Sequence, residues 1–235
     1  MADQQLRDLD LVAITSHEMR TPLAAIRGFV DTLRRRRDTM DDEQVEEFLE
    51  VIAAQTDRLS RLVDDLLVLA GLEAGGIVVT LEPVLLVPFL ESVVGEQPDG
   101  EGRVRLTVSA EAPATIDTDP LRLHQIVDNL LANALKYSSH DHPVSLSVAA
   151  DGDAVVLEVT DRGPGIPPEE LPRIFEPYYR TAGGRAAADG AGLGLAITRR
   201  LAEALDGHLT ATSAVGEGST FRVRLPARRA PVRPS

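Results

Sequence analysis

Apolar and small residues recur along the first part of the chain at spacings that alternate between three and four. The first series occupies positions 9, 12, 16, 19, 23, 26, 30 and 33. This period is typical of an α-helix that presents one face to another helix. It predicts a helix over about residues 6–37. Pro22 lies inside it and is expected to loosen its hydrogen bonding, and four arginines at its end suit the negative pole of a helix dipole.

A second series with the same spacing follows a short turn at residues 38–42. It predicts a helix over residues 42–73, with Thr39 or Asp41 as its N-cap. Three further apolar residues widen its face, namely Leu49, Val63 and Leu67. One hairpin cannot bury faces of this width, whereas two copies could do so as an antiparallel four-helix bundle. Residues 1–73 are therefore expected to form a homodimer.

The pattern changes after residues 71–76, a glycine-containing stretch expected to act as a hinge. Shorter elements follow, with strands predicted over 77–81, 104–108, 144–149, 154–161, 208–213 and 219–226. Helices are predicted over 86–95, 120–138, 168–175 and 192–205. Residues 176–190 have no period and are expected to be mobile. These elements predict a second domain of mixed α/β type over residues 77–228, followed by a tail over 229–235.

Charge and composition narrow the function classes. The formal net charge of -13 argues against a nucleic-acid partner, because it would repel a phosphate backbone. The absence of cysteine excludes disulfides and thiolate chemistry, and His140 and His142 indicate a loop rather than a zinc site. No apolar run is long enough to span a bilayer, so a cytoplasmic location is expected, with any membrane attachment through a sensor region outside this sequence.

His17 is the candidate nucleophile. It lies next to Ser16, which is part of the apolar series, so its imidazole is expected beside the packed face but open to water. An imidazole of ordinary pKa, about 6.5, is neutral at pH 7 and can act as a nucleophile. The alternative interpretation is an ordinary solvated histidine.

A polar helix face suggests a metal and phosphate site. Asn129 and Asn133 are four residues apart, and Lys136 and Tyr137 follow about one turn later, so all four lie close together on the helix surface. Amide oxygens are hard ligands suited to Mg²⁺. A merely solvated polar face is the alternative interpretation.

Three glycine motifs follow, each weak by itself. They are Asp161-Arg162-Gly163-Pro164-Gly165, Gly190-Ala191-Gly192-Leu193-Gly194 and Gly216-Glu217-Gly218-Ser219-Thr220-Phe221. The second opens a predicted helix, where backbone N–H groups can bind an anion. It is neither a Walker loop nor a Rossmann fingerprint, because the Gly-Lys-Ser/Thr sequence and the surrounding βαβ unit are missing.

The order of these motifs is more specific than any one of them. A His-Glu-x-x-Thr-Pro helix, an Asn-x-x-x-Asn helix and the three glycine motifs occur in succession. This series resembles the catalytic core of a sensor histidine kinase of two-component signalling, over nearly the whole chain. The resemblance implies a dimerisation and histidine phosphotransfer domain over residues 1–73. It also implies a catalytic ATP-binding domain over residues 77–228, with the α/β sandwich called the Bergerat or GHKL fold.

For the first domain, the resemblance implies that His17 is the phospho-acceptor. Glu18 would accept the imidazole proton or orient the ring. Thr21 would position a water that hydrolyses the phosphorylated partner, which leaves a phosphatase activity open beside the kinase.

For the second domain, the resemblance implies a site for ATP and Mg²⁺. Asn133, with Asn129 beside it, would coordinate Mg²⁺, Lys136 would contact phosphate, and Tyr137 would lie near the base or ribose. Asp161 would accept the adenine amino hydrogen. The other implied residues are Gly163 and Gly165 beside the adenine, Arg180 near the phosphates, Gly190, Gly192, Leu193 and Gly194 around the triphosphate, and Thr220 near the adenine.

The expected reaction is phosphoryl transfer from ATP to His17 and then to an aspartate of a response regulator receiver domain. Three alternatives remain: a GHKL-type ATPase used as a conformational clamp, a signalling scaffold without kinase activity, and a serine kinase of the same fold. The helix that carries His17, Glu18 and Thr21 argues against the first and third. The intact Asn133, Asp161 and glycine motifs argue against the second.

Overall fold

The computed structural model describes residues 2–73, 78–97, 102–181 and 191–227, without the side chains of residues 2–15, 17, 72 and 73. The chain divides into two compact units, Met1–Ala74 and Gly75–Ser235. None of the described helices is long and apolar enough to cross a bilayer.

The first unit is a helical hairpin, as the period predicted. Helix α1 spans Ala2–Arg36, a single 3-10 turn spans Arg37–Thr39, and helix α2 spans Asp42–Glu73. Asp41 is the N-cap of α2, because its Oδ1 accepts the Gln44 N–H (2.8 Å) while its own N–H donates to Gln44 Oε1 (3.3 Å). This reciprocal pair is a capping box. Because α2 continues to Glu73, residues 71–73 of the expected hinge are helical, and residues 74–76 lie outside the described part of the chain.

The interior of the hairpin is narrow, and much of its apolar surface stays exposed. Leu62 and Pro22 are buried, and the Phe29 and Phe48 rings meet edge to face at 4.9 Å. Several large apolar side chains are exposed in the single hairpin: Leu23, Val30, Leu49, Val63 and Leu67. The three residues expected to widen the apolar face are thus among the exposed ones.

The second unit contains seven strands and three helices within its described residues. In chain order they are β1 Glu82–Leu85, α3 Leu86–Gly95, β2 Val104–Val108, β3 Thr115–Thr118, α4 Pro120–Tyr137, β4 Val144–Asp151, β5 Ala154–Thr160, α5 Gly194–Ala204, β6 His208–Ala214 and β7 Gly218–Pro226. Five strands form a sheet in the order β2-β4-β5-β7-β6, in which only the β2–β4 pair is parallel. Strands β1 and β3 form a separate antiparallel pair. The predicted mixed α/β domain is confirmed.

The core lies between the helices and one face of the large sheet. Along β4, Val144, Leu146 and Val148 are buried while the residues between them are not, as expected when one face of a strand packs inward. Helix α4 packs against α3, α5, β4 and β5, and its apolar side is fully buried. The polar side of α4 is left for the site.

The predicted strand over residues 77–81 is wrong for its described part, since residues 78–81 are not in a strand. The Thr80 N–H donates to the side chain of Asp119 (2.9 Å) instead of to a strand. Pairing begins one residue later, at Glu82 opposite Thr118. The partner strand β3 was not predicted, because Ile116 is its only large apolar residue and gives no alternating signal.

The predicted helix over residues 168–175 is also wrong. The segment is a succession of turns, in which the N–H groups of Glu170, Arg173 and Glu176 each donate to the carbonyl three residues earlier. Pro172 and Pro177 have no N–H and cannot extend a helical ladder. Helix α5 likewise begins at Gly194 rather than at residue 192.

Residues 176–181 are the described part of the segment that was expected to be mobile, and they contact neighbouring residues. The Tyr178 N–H donates to the Gly192 carbonyl (2.9 Å), and the Tyr179 hydroxyl donates to Glu170 (3.1 Å). The Arg173 guanidinium lies 4.3 Å from the centre of the Tyr179 ring. The rest of that segment, residues 182–190, lies outside the described part of the chain.

Candidate active site

Helix α4 carries four of the predicted site residues and is held at both ends. At its start, Asp119 Oδ1 accepts the Arg122 N–H (3.1 Å), and Asp119 Oδ2 accepts the Thr80 N–H (2.9 Å). At its end, the Arg103 guanidinium donates to the carbonyls of Ser138 and Ser139 (3.3 Å each). These caps satisfy backbone groups that a helix leaves unpaired, and they fix the position of α4 on the sheet.

The two asparagines lie where helix α5 begins. Asn129 and Asn133 are half-buried and are the only asparagines in the chain. A Cβ atom on Gly194 would lie 3.0 Å from Asn129 Oδ1 and 3.9 Å from Asn133 Nδ2. The first distance is too short for a relaxed contact, so glycine allows the start of α5 to approach the amides. The Asn-x-x-x-Asn helix and the second glycine motif are therefore neighbours.

Tyr137 lies among positive charges at the end of α4. The Lys136 ammonium is 5.3 Å from the centre of the Tyr137 ring, within the range of a cation–π contact. Burial raises the pKa of the Tyr137 hydroxyl, and the positive charge of Arg180 partly opposes that rise. Lys136, Tyr137 and Arg180 thus form a cationic and aromatic surface beside the asparagines.

Asp161 is a buried carboxylate directly after β5. Its side chain is only 5% exposed. Its Oδ1 accepts the Gly163 N–H (2.7 Å), and its own N–H donates to the Ser219 carbonyl (2.9 Å). Burial raises the pKa of Asp161, and hydrogen bonding of its carboxylate to the backbone of Gly163 and of Ser219 partly opposes the rise. A desolvated acceptor held in a fixed orientation is suited to a ligand N–H group.

Gly163 lies between the Asp161 carboxylate and the end of α4. A Cβ at Gly163 would lie 2.8 Å from the Tyr137 carbonyl oxygen and 2.9 Å from Asp161 Oδ1. Any larger residue would separate the two elements, so glycine is required by close approach. Gly165 packs in the same way on Ala214 of β6.

Thr220 does not present its side chain on the same face of the sheet as Asp161. Residues directly opposite each other in an antiparallel pair share a face, and successive residues alternate. Thr220 is opposite Thr160, and their hydroxyl oxygens are 3.0 Å apart. Asp161 is opposite Ser219, so Ser219 has its side chain on the Asp161 face. The expected position of Thr220 near the adenine stays a prediction, and Ser219 is a second candidate on this strand.

Strand alternation could have identified Ser219 from the sequence. Phe221 is apolar and faces the core, and Ser219 lies two residues before it on the same face. The Ser219 hydroxyl is 3.0 Å from the hydroxyl of Ser213, which in turn accepts the Ile166 N–H (2.8 Å). Ser219 is thus tied to the loop that follows Asp161.

A cleft of about 360 Å³ opens at the ends of β5, β6 and β7. Asp161, Ser219 and Thr220 line it together with their neighbours on these strands, whereas the two asparagines do not. The cleft therefore includes Asp161 but neither Asn129 nor Asn133.

The second glycine motif is described from Ala191 onward, and Gly190 lies outside the described residues. Gly192 lies against the backbone of Tyr178 and Tyr179. Leu193 is buried and immediately precedes α5. The first turn of α5, which has no side-chain cap at Leu193, lies beside Asn129, and the N–H groups of such a turn can bind an anion.

The predicted phospho-acceptor lies on the first unit. His17 is within the continuous helix α1, and its side chain is outside the described part of the structure. Glu18, the next residue, is half-buried, and its Oε2 is 3.7 Å from Arg58 Nη2 of α2. Thr21 is exposed one turn later. Arg58 was not predicted, and no spacing within one helix could have identified a partner on the other.

The described residues contain no group of three or more His, Asp or Glu side chains that could hold a metal. Mg²⁺ often has few protein ligands, with phosphate and water completing its shell. The amide oxygens of Asn129 and Asn133 fit that donor set.

Two protein-family models match the chain. The model described as His Kinase A (phospho-acceptor) domain matches residues 8–75. The model described as Histidine kinase-, DNA gyrase B-, and HSP90-like ATPase matches residues 118–229. The first covers the helical hairpin, and the second begins at the end of β3 and covers α4 and the rest of the described unit.

Individual proteins agree with these models. Sensor histidine kinase TrcS of Mycobacterium tuberculosis is 35% identical over 95% of this chain and 45% of its own length. The structure of full-length ShkA in complex with AMPPNP is 32% identical, with a TM-score of 0.67, over 95% of this chain and 47% of that chain. Histidine kinase ThkA in complex with response regulator TrrA has a TM-score of 0.69 at 22% identity, over 96% of this chain and 64% of that chain, which shows the shared fold.

The chain belongs to the sensor histidine kinases and corresponds to their catalytic core. The predicted fold class, a helical hairpin followed by a GHKL-type α/β domain, is confirmed. The chain spans less than half the length of the curated relatives it matches.

Proposed function

We propose that this chain transfers the γ-phosphoryl group of ATP to His17 and then to an aspartate of a response regulator. The observation that carries the proposal is the meeting of Asn129, Asn133 and the start of α5, with the buried carboxylate of Asp161 in the same unit. Family membership supports the activity, and the complex that histidine kinase ThkA forms with TrrA supports a response regulator as the partner.

In the proposed site, Asp161 accepts the adenine amino hydrogen, with Ser219 on the same face and Gly163 and Gly165 beside the ring. Tyr137 packs near the base or ribose. The phosphates are bound by a second set of groups: Lys136, Arg180, and the backbone of Gly190, Gly192, Leu193 and Gly194. These cations and N–H groups stabilise the charge that develops on the transferring group.

Mg²⁺ would neutralise phosphate charge during the transfer, held by Asn133 with Asn129 beside it. Neutral amide oxygens suit this task, because they leave the positive charge of the ion available to the phosphates. The donor set on α4 supports this proposal.

At the acceptor, a ring nitrogen of His17 attacks the γ-phosphorus and ADP leaves. Glu18 accepts or orients the ring proton. We further propose that Thr21 orients a water for dephosphorylation of the partner. Residues 1–73 provide the dimer, for which the exposed apolar residues of the hairpin are the supporting observation.

The test is incorporation of label from γ-labelled ATP with Mg²⁺. The unmodified chain is expected to gain label that is stable to base and lost in acid, and His17→Gln is expected to gain none. His140→Gln is the matched control, because His140 is an exposed loop histidine and its loss is expected to leave the label unchanged. Equal label on His17→Gln and the parent would contradict the assignment of His17, and label stable to acid would indicate a serine kinase instead.

A further inference from the structure

The ion pair between Glu18 and Arg58 connects the two helices of the hairpin beside His17. Glu18 Oε2 and Arg58 Nη2 are 3.7 Å apart, and the two side chains are 23% and 22% exposed. The Arg37–Asp42 pair at the helical turn, by contrast, is 53% and 98% exposed. Partial removal from water strengthens the attraction between the Glu18 and Arg58 charges.

The direction of the Glu18 side chain is not set by α1 alone. Consecutive residues on a helix point about 100° apart, so Glu18 and His17 do not face each other by default. A carboxylate on a flexible side chain would otherwise sample several rotamers, most of them unsuited to the neighbouring ring. Arg58, on the facing helix, restricts this choice.

The length of the contact leaves the carboxylate able to accept another proton donor. At 3.7 Å the pair is an electrostatic contact rather than a direct hydrogen bond. A carboxylate has about four acceptor sites, so Glu18 retains sites for an imidazole N–H.

We propose that Arg58 is a positioning residue for phosphoryl transfer, which acts on His17 through Glu18. This inference rests on the proposed kinase function and adds to it a residue of α2 as a determinant of the rate. Arg58 orients the Glu18 carboxylate toward the ring proton and does not contact the nucleotide.

The experiment measures the rate of label incorporation from saturating ATP and Mg²⁺ for the parent chain, Arg58→Gln, Arg58→Lys, Glu18→Gln and the Glu18→Gln/Arg58→Gln double variant. We expect Arg58→Gln to slow labelling about tenfold, since general acid–base catalysis contributes about 10²–10⁴-fold and depends partly on positioning. The ATP concentration for half-maximal rate should not change. Arg58→Lys, which keeps the charge, should recover part of the rate.

Arg61→Gln is the matched control, because Arg61 is an exposed arginine on the same helix three residues further on. It is expected to label at the parent rate. In the Glu18→Gln background, Arg58→Gln should cause no further loss, because a residue that acts through Glu18 has nothing left to position.

Two results would overturn the role of Arg58 while leaving the kinase assignment intact. One is an Arg58→Gln rate equal to that of the parent. The other is the same fold-loss with and without Glu18, which would indicate a structural effect independent of the carboxylate. Absence of label on the parent and on Arg61→Gln would instead contradict the kinase function itself, and the role of Arg58 with it.

Discussion

Asp161 shows how a single residue can favour ligand binding over stability. Its buried carboxylate has a raised pKa because burial disfavours the charged form. The folded state therefore holds the proton more tightly than the unfolded chain. The resulting contribution to stability is fully present below the unfolded-state pKa of Asp161 and is lost as the pH rises through its folded-state pKa.

Asp161→Asn is accordingly expected to be at least as stable as the parent at neutral pH. The asparagine Oδ1 can still accept the Gly163 N–H, and no charge is buried. The amide nitrogen cannot accept a hydrogen bond from adenine, so nucleotide affinity should fall about 10–100-fold, the value of a hydrogen bond to a charged group. Calorimetric titration with ADP and Mg²⁺, together with thermal unfolding at several pH values, measures both effects.

The control for this residue is Asp117→Asn, since Asp117 is an exposed aspartate of β3. It should leave ADP affinity unchanged. Unchanged ADP affinity in Asp161→Asn would contradict the adenine contact, whatever happens to stability.

At the scale of elements, Asp119 connects the segment before β1 to the start of α4. One carboxylate oxygen caps the helix and the other accepts the Thr80 N–H. Asp119→Ser should keep the cap and lose the second bond, whereas Asp119→Ala loses both. We expect losses of roughly 1–2 and roughly 2–4 kcal/mol respectively, from the usual values of helix caps and of hydrogen bonds to charged groups.

Tyrosine emission measures this stability selectively in the full chain. The protein has no tryptophan, and its three tyrosines, Tyr137, Tyr178 and Tyr179, all lie in the second unit. Urea unfolding followed by this emission should rank the parent above Asp119→Ser and Asp119→Ser above Asp119→Ala. Equal stability of the serine and alanine variants would show that the helix cap contributes little.

The elements that could be predicted from the sequence are those in which a regular spacing of apolar residues repeats over many positions. Helices α1, α2 and α4 were predicted within a few residues, because apolar positions repeat over several turns. Strand β3 could not be predicted, because a four-residue strand with one apolar side chain depends on its partner strand. The turns over residues 168–175 could not be predicted either, because Pro172 interrupts an otherwise helical pattern. Helical spacing also placed the four candidate residues of α4 close together. The partner of Glu18, by contrast, is a residue of the other helix and depends on a neighbour distant in sequence.

At the scale of the whole molecule, the hairpin has apolar surface that a single copy leaves exposed. Leu49, Val63 and Leu67 project from one side of α2, and Leu67 is 66% exposed. A fully buried leucine contributes about 1.5–3 kcal/mol relative to an exposed one. If a second copy covers this side, the same leucines are buried in both protomers.

The double variant Leu49→Glu/Leu67→Glu is therefore expected to dissociate the proposed dimer. Loss of four buried leucines and the approach of like charges should raise the dissociation constant by at least about 10²–10⁴-fold. Sedimentation velocity over a range of protein concentrations would then report a monomer where the parent is a dimer. Ala54→Glu is the control for an added negative charge, since Ala54 is exposed on a different side of α2, and it should leave the dimer intact. A parent chain that sediments as a monomer, or a double variant that stays dimeric, would contradict the four-helix bundle and leave these leucines for another partner.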